Sequence, residues 1–271
     1  MFCLLEAVVL YAMEPVYNSV VAVARTLFAA QGIRFRVTGS ENIPTEGGAV
    51  IVMNHLSYMD FAYAGLAARP SRRLIRFMCK KSVWDHPIAG PLMSGMKHIP
   101  VDRENGSQAL RDAVKALKAG ELVGVFPEAT ISRSYELKEF KTGAIRMAQA
   151  TGVPIIPIVL WGTQRIWTKG HPRRLGYSRT PISLTVGKAI SAPKQAPADE
   201  VSATLRAEMQ LLLDHAQAEY PRLEGDDLKF LPARLGGTAP TLAEANEMDR
   251  LDRERRRAAA AQKNPGTDNA A

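Results

Sequence analysis

The run from Asn54 to Asp60, Asn-His-Leu-Ser-Tyr-Met-Asp, holds residue types that could move a proton: an imidazole at His55 and a carboxylate at Asp60. A separation of five puts the two about 140° apart on a regular helix, so they would not share a face. If a turn intervenes and Asp60 lies in the first turn of a helix, its carboxylate folds back onto an imidazole N–H. That contact fixes the tautomer and stabilises the imidazolium, leaving the other ring nitrogen to take a proton. Taken alone, a bare pair at this spacing reads more readily as a structural histidine capping a helix. Ser57 is the other nucleophile beside His55, but Gly-x-Ser-x-Gly is absent, and a serine two residues from its base seldom has room to align.

Such a pair must be held by something rigid. Directly before it, Ala49 to Met53 is a continuous apolar run, the pattern of a strand buried on both faces. Residues just past the carboxyl end of a strand in a parallel sheet line the ligand crevice. Leu74 to Cys79, His98 to Val101, Leu122 to Phe126, Ile155 to Leu160 and Ile182 to Val186 read as further strands. Between them, Ser107 caps an expected helix with Leu110, Val114 and Leu117 on one face, ending at Gly120. Lys141 to Ala150, Val201 to Ala218 and Leu242 to Ala261 also read as helices. The alternation predicts an α/β domain with a central, largely parallel sheet flanked by helices.

Composition narrows the partners. The chain has 271 residues, a formal net charge of +8, and only two cysteines, Cys3 and Cys79, which exclude a disulfide framework or a multi-cysteine zinc site. The five histidines lack ligand spacing and HExxH is absent, so no metal site is expected. The charge sits in two blocks. Phe61 to Trp84 has no acid but carries Arg69, Arg72, Arg73, Arg76, Lys80 and Lys81; Lys141 to Ala198 is again free of Asp and Glu. Basic blocks call for an anionic partner, such as phosphate ligands or an anionic membrane. Nucleic acid fits poorly, because no helix-turn-helix, zinc-finger or RNA-recognition signature is present.

The first 30 residues are apolar but interrupted by Glu6, Glu14, Pro15, Asn18 and Arg25, so their uncharged runs fall short of the roughly 18 to 20 residues a spanning helix needs. No base precedes the apolar stretch, unlike a secretory signal. Val16, Val20, Val23, Leu27 and Ala30 recur at helical spacing. Two short helices broken near Glu14-Pro15 would dock on a membrane surface, each nearby base adding about 1 kcal/mol on an anionic leaflet; packing on the protein's own core is the alternative. The expected organisation is an apolar helical docking segment over 1–31, an α/β domain over 32–235, and a charged tail over 236–271, partly helical and then disordered.

Four blocks, in order, resemble the glycerolipid acyltransferases of the 1-acyl-sn-glycerol-3-phosphate acyltransferase type. Asn54-His55 through Asp60 is similar to that family's NHxxxxD block. Lys80-Lys81, Pro87, Gly90, Gly95 and Ile99 to Arg103 resemble the second block, Phe126 to Ser132 the third, and Val153 to Ile158 the fourth. The likeness spans about Val37 to Ile190. In the third block, usually Phe-Pro-Glu-Gly-Thr-Arg-Ser, Ala129 replaces the glycine and Ile131 the arginine expected to bind the acceptor phosphate; Arg133 stands two residues later.

The resemblance implies transfer of a fatty acyl group from acyl-CoA or acyl carrier protein to the free hydroxyl of 1-acylglycerol 3-phosphate, the step that makes phosphatidic acid in phospholipid biosynthesis. His55 would be the general base, supported by Asp60. Arg103, Arg133 and Lys141 are candidates for the acceptor phosphate, and Thr130 and Ser132 join them by their place in the third block. Glu128 would hydrogen-bond the acceptor's free hydroxyl or orient Arg103, while Gly90 and Gly95 would permit tight turns. The acyl donor is a co-substrate; no cofactor or metal is implied. The expected partners are the donor, a lysophospholipid acceptor and an anionic membrane surface, placing the protein peripherally or monotopically on a cytoplasmic membrane face. Glycerol 3-phosphate or another lysophospholipid as acceptor, a thioester or lipid hydrolase, and a non-catalytic lipid binder stay open as alternatives.

Overall fold

The computed structural model describes residues 14–102 and 106–263. The first 13 residues of the expected docking segment, Arg103, and the end of the tail lie outside them.

Seven strands form one sheet: β1 (Arg34–Thr38), β2 (Ala49–Met53), β3 (Ile75–Lys80), β4 (Ile99–Val101), β5 (Leu122–Val125), β6 (Ile155–Trp161) and β7 (Pro181–Val186), in the order β1-β7-β6-β2-β5-β3-β4. Every pairing is parallel except β6 with β7. The helices are α1 (Pro15–Ala30), α2 (Asp60–Ala64), α3 (Ala89–Gly95), α4 (Gly106–Lys118), α5 (Gly143–Thr151), α6 (Ala198–Ala218) and α7 (Leu242–Lys263).

The sheet is covered on both faces, which is why β2 reads as unbroken apolar sequence. Val50 and Val52 enter one core cluster with Leu117 of α4, Ile145 of α5 and Leu205 of α6. Ala49, Ile51 and Met53 enter the other, with Phe28 of α1 and Tyr63 of α2. This is the period-two alternation of a strand divided between two cores. β6, β2 and β5 are adjacent and parallel, with Val52 opposite both Val125 and Pro157, so their carboxyl ends open side by side. All three loops of the site described below leave from those ends.

The structure departs from expectation in four places. β1 has no apolar alternation because it is an edge strand, exposed at Arg34, Arg36, Val37 and Thr38. α4 is described from Gly106, and its buried face is Ala109, Ala113 and Leu117, not the expected Leu110, Val114 and Leu117. The small alanines let the helix approach the sheet, while Leu110 is only partly buried. Gly90 and Gly95 belong to α3, not to turns: a Cβ on Gly90 would lie 2.3 Å from the Trp84 carbonyl oxygen, and one on Gly95 2.8 Å from Val16 of α1. Finally, the tail does not stand apart, since Ala245 and Asp249 of α7 are buried.

α1 begins with Pro15, where a missing N–H costs little. It packs inward through Tyr17 and Phe28, while Val23 and Leu27 are 60% and 57% exposed. Its base is fixed by ionic contacts: Arg76 of β3 pairs with Glu14 at 2.9 Å and Glu121 at 3.1 Å, and Lys97 reaches Glu14 at 2.6 Å. Burial works to raise the Glu14 carboxyl, but Lys97 and Arg76 outweigh it and hold it below the usual range. Among the described residues, no helix is long and apolar enough to cross a membrane.

Candidate active site

β2 ends in a clasp that places the next residue. Asn54 donates through Nδ2 to the Leu160 carbonyl (2.9 Å), and its Oδ1 accepts the Leu160 N–H (2.8 Å), extending the β2–β6 pairing by a side chain. A turn then brings the chain to α2, whose first residue is Asp60. One carboxylate oxygen, Asp60 Oδ2, gathers that turn: it accepts the backbone N–H of Leu56 (2.6 Å) and Ser57 (2.7 Å) and lies 3.0 Å from His55 Nδ1. In the tautomer that donates to this oxygen, the ring proton is on Nδ1 and Nε2 is left as the acceptor. Asp60 is fully buried, whereas the His55 side chain is 21% exposed. Phe126, at the end of β5, stacks on the imidazole at 4.2 Å and fixes its plane. Ser57 is committed elsewhere: its hydroxyl donates to the Trp167 carbonyl and accepts the Met59 N–H.

The loop after β5 braces the same residue. Glu128 Oε1 accepts the His55 N–H at 3.1 Å, its Oε2 accepts the Lys138 N–H at 3.4 Å, and the Ser132 N–H donates to the His55 carbonyl at 2.8 Å. Burial pushes the Glu128 carboxyl up to about 8, against the pull of these two donors. Both oxygens of Glu128 thus hold loops, and Ser132 is fully buried, its hydroxyl donating to the Glu136 carbonyl. Both residues brace His55. Ala129, standing for the usual glycine, has a left-handed φ of 56°.

The loop after β6 closes the third side. Trp167 offers its carbonyl to Ser57 and to the Tyr58 N–H, and the Thr168 hydroxyl donates to the Leu56 carbonyl at 2.7 Å. A half-buried imidazole with one nitrogen engaged by a buried carboxylate is equipped for general-base work on a hydroxyl.

Residues 34–161, which include this whole constellation up to the end of β6, match the model of the family described as Acyltransferase. The match covers just under half of the chain. It is 34% identical over 128 residues to a 1-acyl-sn-glycerol-3-phosphate acyltransferase of Bacillus subtilis, covering 47% of this chain and 62% of that protein. A protein of the same name from Borreliella burgdorferi is 34% identical over 147 residues, 51% of this chain and 55% of the relative. The chain thus spans roughly half to three-fifths of the length of these curated relatives. The crystal structure of the 1-acyl-sn-glycerophosphate (LPA) acyltransferase PlsC from Thermotoga maritima shares the fold, with a TM-score of 0.62 and 22% identity over 76% of this chain and 81% of that one.

Within the matched residues lie two of the cations expected to meet a phosphate, Lys141 and Arg133. Lys141 is exposed and held by its N–H to the Pro127 carbonyl, beside the Glu128 loop. Arg133 is half-buried and faces α7, with Nη2 at 2.7 Å from Asp252 and Nε at 3.6 Å from Asp249. Ile131, in the position of the expected arginine, is buried. The Thr130 hydroxyl accepts from Lys169 Nζ at 2.8 Å. Sequence reasoning missed Lys169, Lys138 and Asp249. Lys169 and Lys138 lie outside the four blocks, and Asp249 sits in a charge-mixed stretch where no spacing marks it.

Proposed function

We propose that this protein is an O-acyltransferase that moves a fatty acyl group from a thioester donor, acyl-CoA or acyl carrier protein, to the free hydroxyl of 1-acylglycerol 3-phosphate. The observation that carries this reading is the Asp60–His55 pair, oriented and half-buried inside a matched acyltransferase domain. The names of the Bacillus and Borreliella relatives support the choice of acceptor. His55 Nε2 takes the hydroxyl proton as the oxygen attacks the thioester carbonyl carbon. The new C–O bond forms, the C–S bond breaks, and the imidazolium returns its proton to the departing thiolate. Asp60 supports the charge on the ring between the two transfers. Attack is direct, so both substrates are bound together and no acyl-enzyme forms. Arg103 and Lys141 remain candidates for contact with the acceptor headgroup.

The exposed Val23 and Leu27 of α1 support docking on a membrane, where a lysophospholipid is found. The setting we propose is the cytoplasmic face, with anionic lipid beneath the basic residues. Ile131 favours a second acceptor reading, a lysophospholipid with a different headgroup, because an apolar side chain replaces the arginine of the related motif.

The experiment is acyl transfer by purified protein from labelled acyl-CoA to a panel of lysophospholipids and glycerol 3-phosphate, with thiol release followed alongside. His55→Ala is expected to lower kcat by about 100- to 10,000-fold while the fold is kept. A folded variant with normal turnover overturns the base assignment, and thiol release that ignores the acceptor makes the protein a hydrolase.

A further inference from the structure

Asp249 is a charged residue of α7 that is only 3% exposed. Its Oδ1 is 2.8 Å from Lys169 Nζ and 3.6 Å from Arg133 Nε, and its Oδ2 bonds Lys138 Nζ. One turn on, Asp252 takes Arg133 Nη2 at 2.7 Å. Two carboxylates of one helix thus sit among three cations.

Those cations belong to the catalytic neighbourhood, each carried by a segment hydrogen-bonded to the His55–Asp60 turn. Lys169 follows Thr168, whose hydroxyl bonds the Leu56 carbonyl. Arg133 follows Ser132, whose N–H bonds the His55 carbonyl. Lys138 bonds through its N–H to Glu128, which also holds the His55 N–H. Lys169 donates to the Thr130 hydroxyl as well, so the cations and this hydroxyl form one cluster.

α7 is attached to this spot largely by charge. Ala245 and Asp249 are the residues of α7 that are buried among those described, while Met248 and Leu251 lie exposed at 39% and 38%. The helix supports itself: Thr241 and Glu244 form a capping box, and Arg250 pairs with Glu247 and Glu254. A helix polar on nearly all sides gains little from apolar burial, so once undocked it is held only by its own cap and ion pairs and frays readily.

We infer that Lys169, Arg133 and Lys138, with the Thr130 hydroxyl, form a subsite for a phosphate monoester, and that Asp249 and Asp252 occupy it as an internal substitute. Two carboxylates carry the charge of such a group, about −1.5 to −2, and present oxygens to the same donors. The inference rests on the acyltransferase reading, with the acceptor phosphate as the competing ligand. α7 then sets acceptor specificity: an acceptor gains the subsite only by displacing the helix, which a phosphate monoester can do and a neutral acceptor cannot. The subsite also supplies cations that Ile131 does not.

The test uses the full chain. In D249N/D252N, inorganic phosphate and glycerol 3-phosphate are expected to bind at least tenfold more tightly by calorimetry than in the unaltered protein, and Lys169→Met added to that variant is expected to remove the gain. A folded D249N/D252N with unchanged phosphate affinity overturns the subsite. Because the double variant could fail to fold, hydrogen exchange on the unaltered protein gives a second readout. Amides of α7 should lose protection on adding glycerol 3-phosphate but not sodium chloride of equal ionic strength. Unchanged α7 protection at saturating glycerol 3-phosphate overturns the inference. Phosphatidylglycerol vesicles, which offer only phosphodiesters, should leave α7 protected; release by these vesicles alone overturns the monoester assignment in favour of a lipid surface. Binding and exchange need no turnover, so a working His55-dependent transferase with no subsite, and a subsite on a protein without transferase activity, are separate results.

Discussion

At the scale of single residues, the site depends on atoms that serve more than one partner. Asp60 Oδ2 accepts two backbone N–H groups and faces the imidazole, so the carboxylate that supports the base also shapes the turn that presents it. Ala129 shows a cost of the neighbouring loop. Its φ of 56° is a conformation in which a Cβ crowds the following carbonyl, at about 1–2 kcal/mol, and which glycine adopts freely. Ala129→Gly is therefore expected to stabilise the protein by about 1 kcal/mol net of glycine's added unfolded-state freedom, read as a raised urea midpoint with unchanged slope. The departure from the related motif is thus a strained backbone as well as a lost match. The pairing of His55 with Asp60 was legible from spacing once a turn was allowed between them. The parts played by Glu128 and Ser132 were not, because residue type alone does not tell whether an oxygen meets a ligand or a backbone amide.

Elements explain how these residues are held, and one of them carries a pH dependence. His98, at the start of β4, is 6% exposed and accepts the Phe77 N–H on Nδ1, with Tyr17 and Phe77 at its edges. Burial, aided by the nearby Arg76, lowers its pKa to about 4. The unfolded chain binds its proton near pH 6.5, so the folded state is fully favoured above that value and loses stability as the pH falls toward 4. The loss is on the order of 3 kcal/mol. Comparing His98→Asn with the unaltered protein by denaturant titration should show a smaller drop between pH 6.5 and 4 in the variant; parallel curves would mean the imidazole titrates normally. Glu128 acts in the opposite sense, since its raised pKa makes stability fall as pH rises toward about 8, which is why the difference between the two proteins is the quantity to read. Six of the seven strands could be read from apolar runs because helices bury both faces of the sheet. β1 could not, because an exposed edge strand needs no such pattern.

At the scale of the whole molecule, three parallel carboxyl ends converge on one imidazole while α1 packs on the other core and turns Val23 and Leu27 outward. If that face docks on lipid, the double change Val23→Asp and Leu27→Asp should reduce co-sedimentation with anionic vesicles at least tenfold while leaving thermal stability nearly unchanged, since both side chains are already in solvent. Retained vesicle binding would place the docking surface elsewhere. Composition raised the expectation of an anionic partner but did not tell where the charges gather, because Arg133, Lys138 and Lys169 are brought together only by the fold. The Asn54 clasp has a last consequence. Its amide uses a donor and an acceptor at once on Leu160, so aspartate would set a negative oxygen against a carbonyl, and leucine would leave two strand groups unanswered. Position 54 therefore has no chemically tolerable neighbour, and the residue next to the base is as intolerant of drift as the base itself, for a purely mechanical reason.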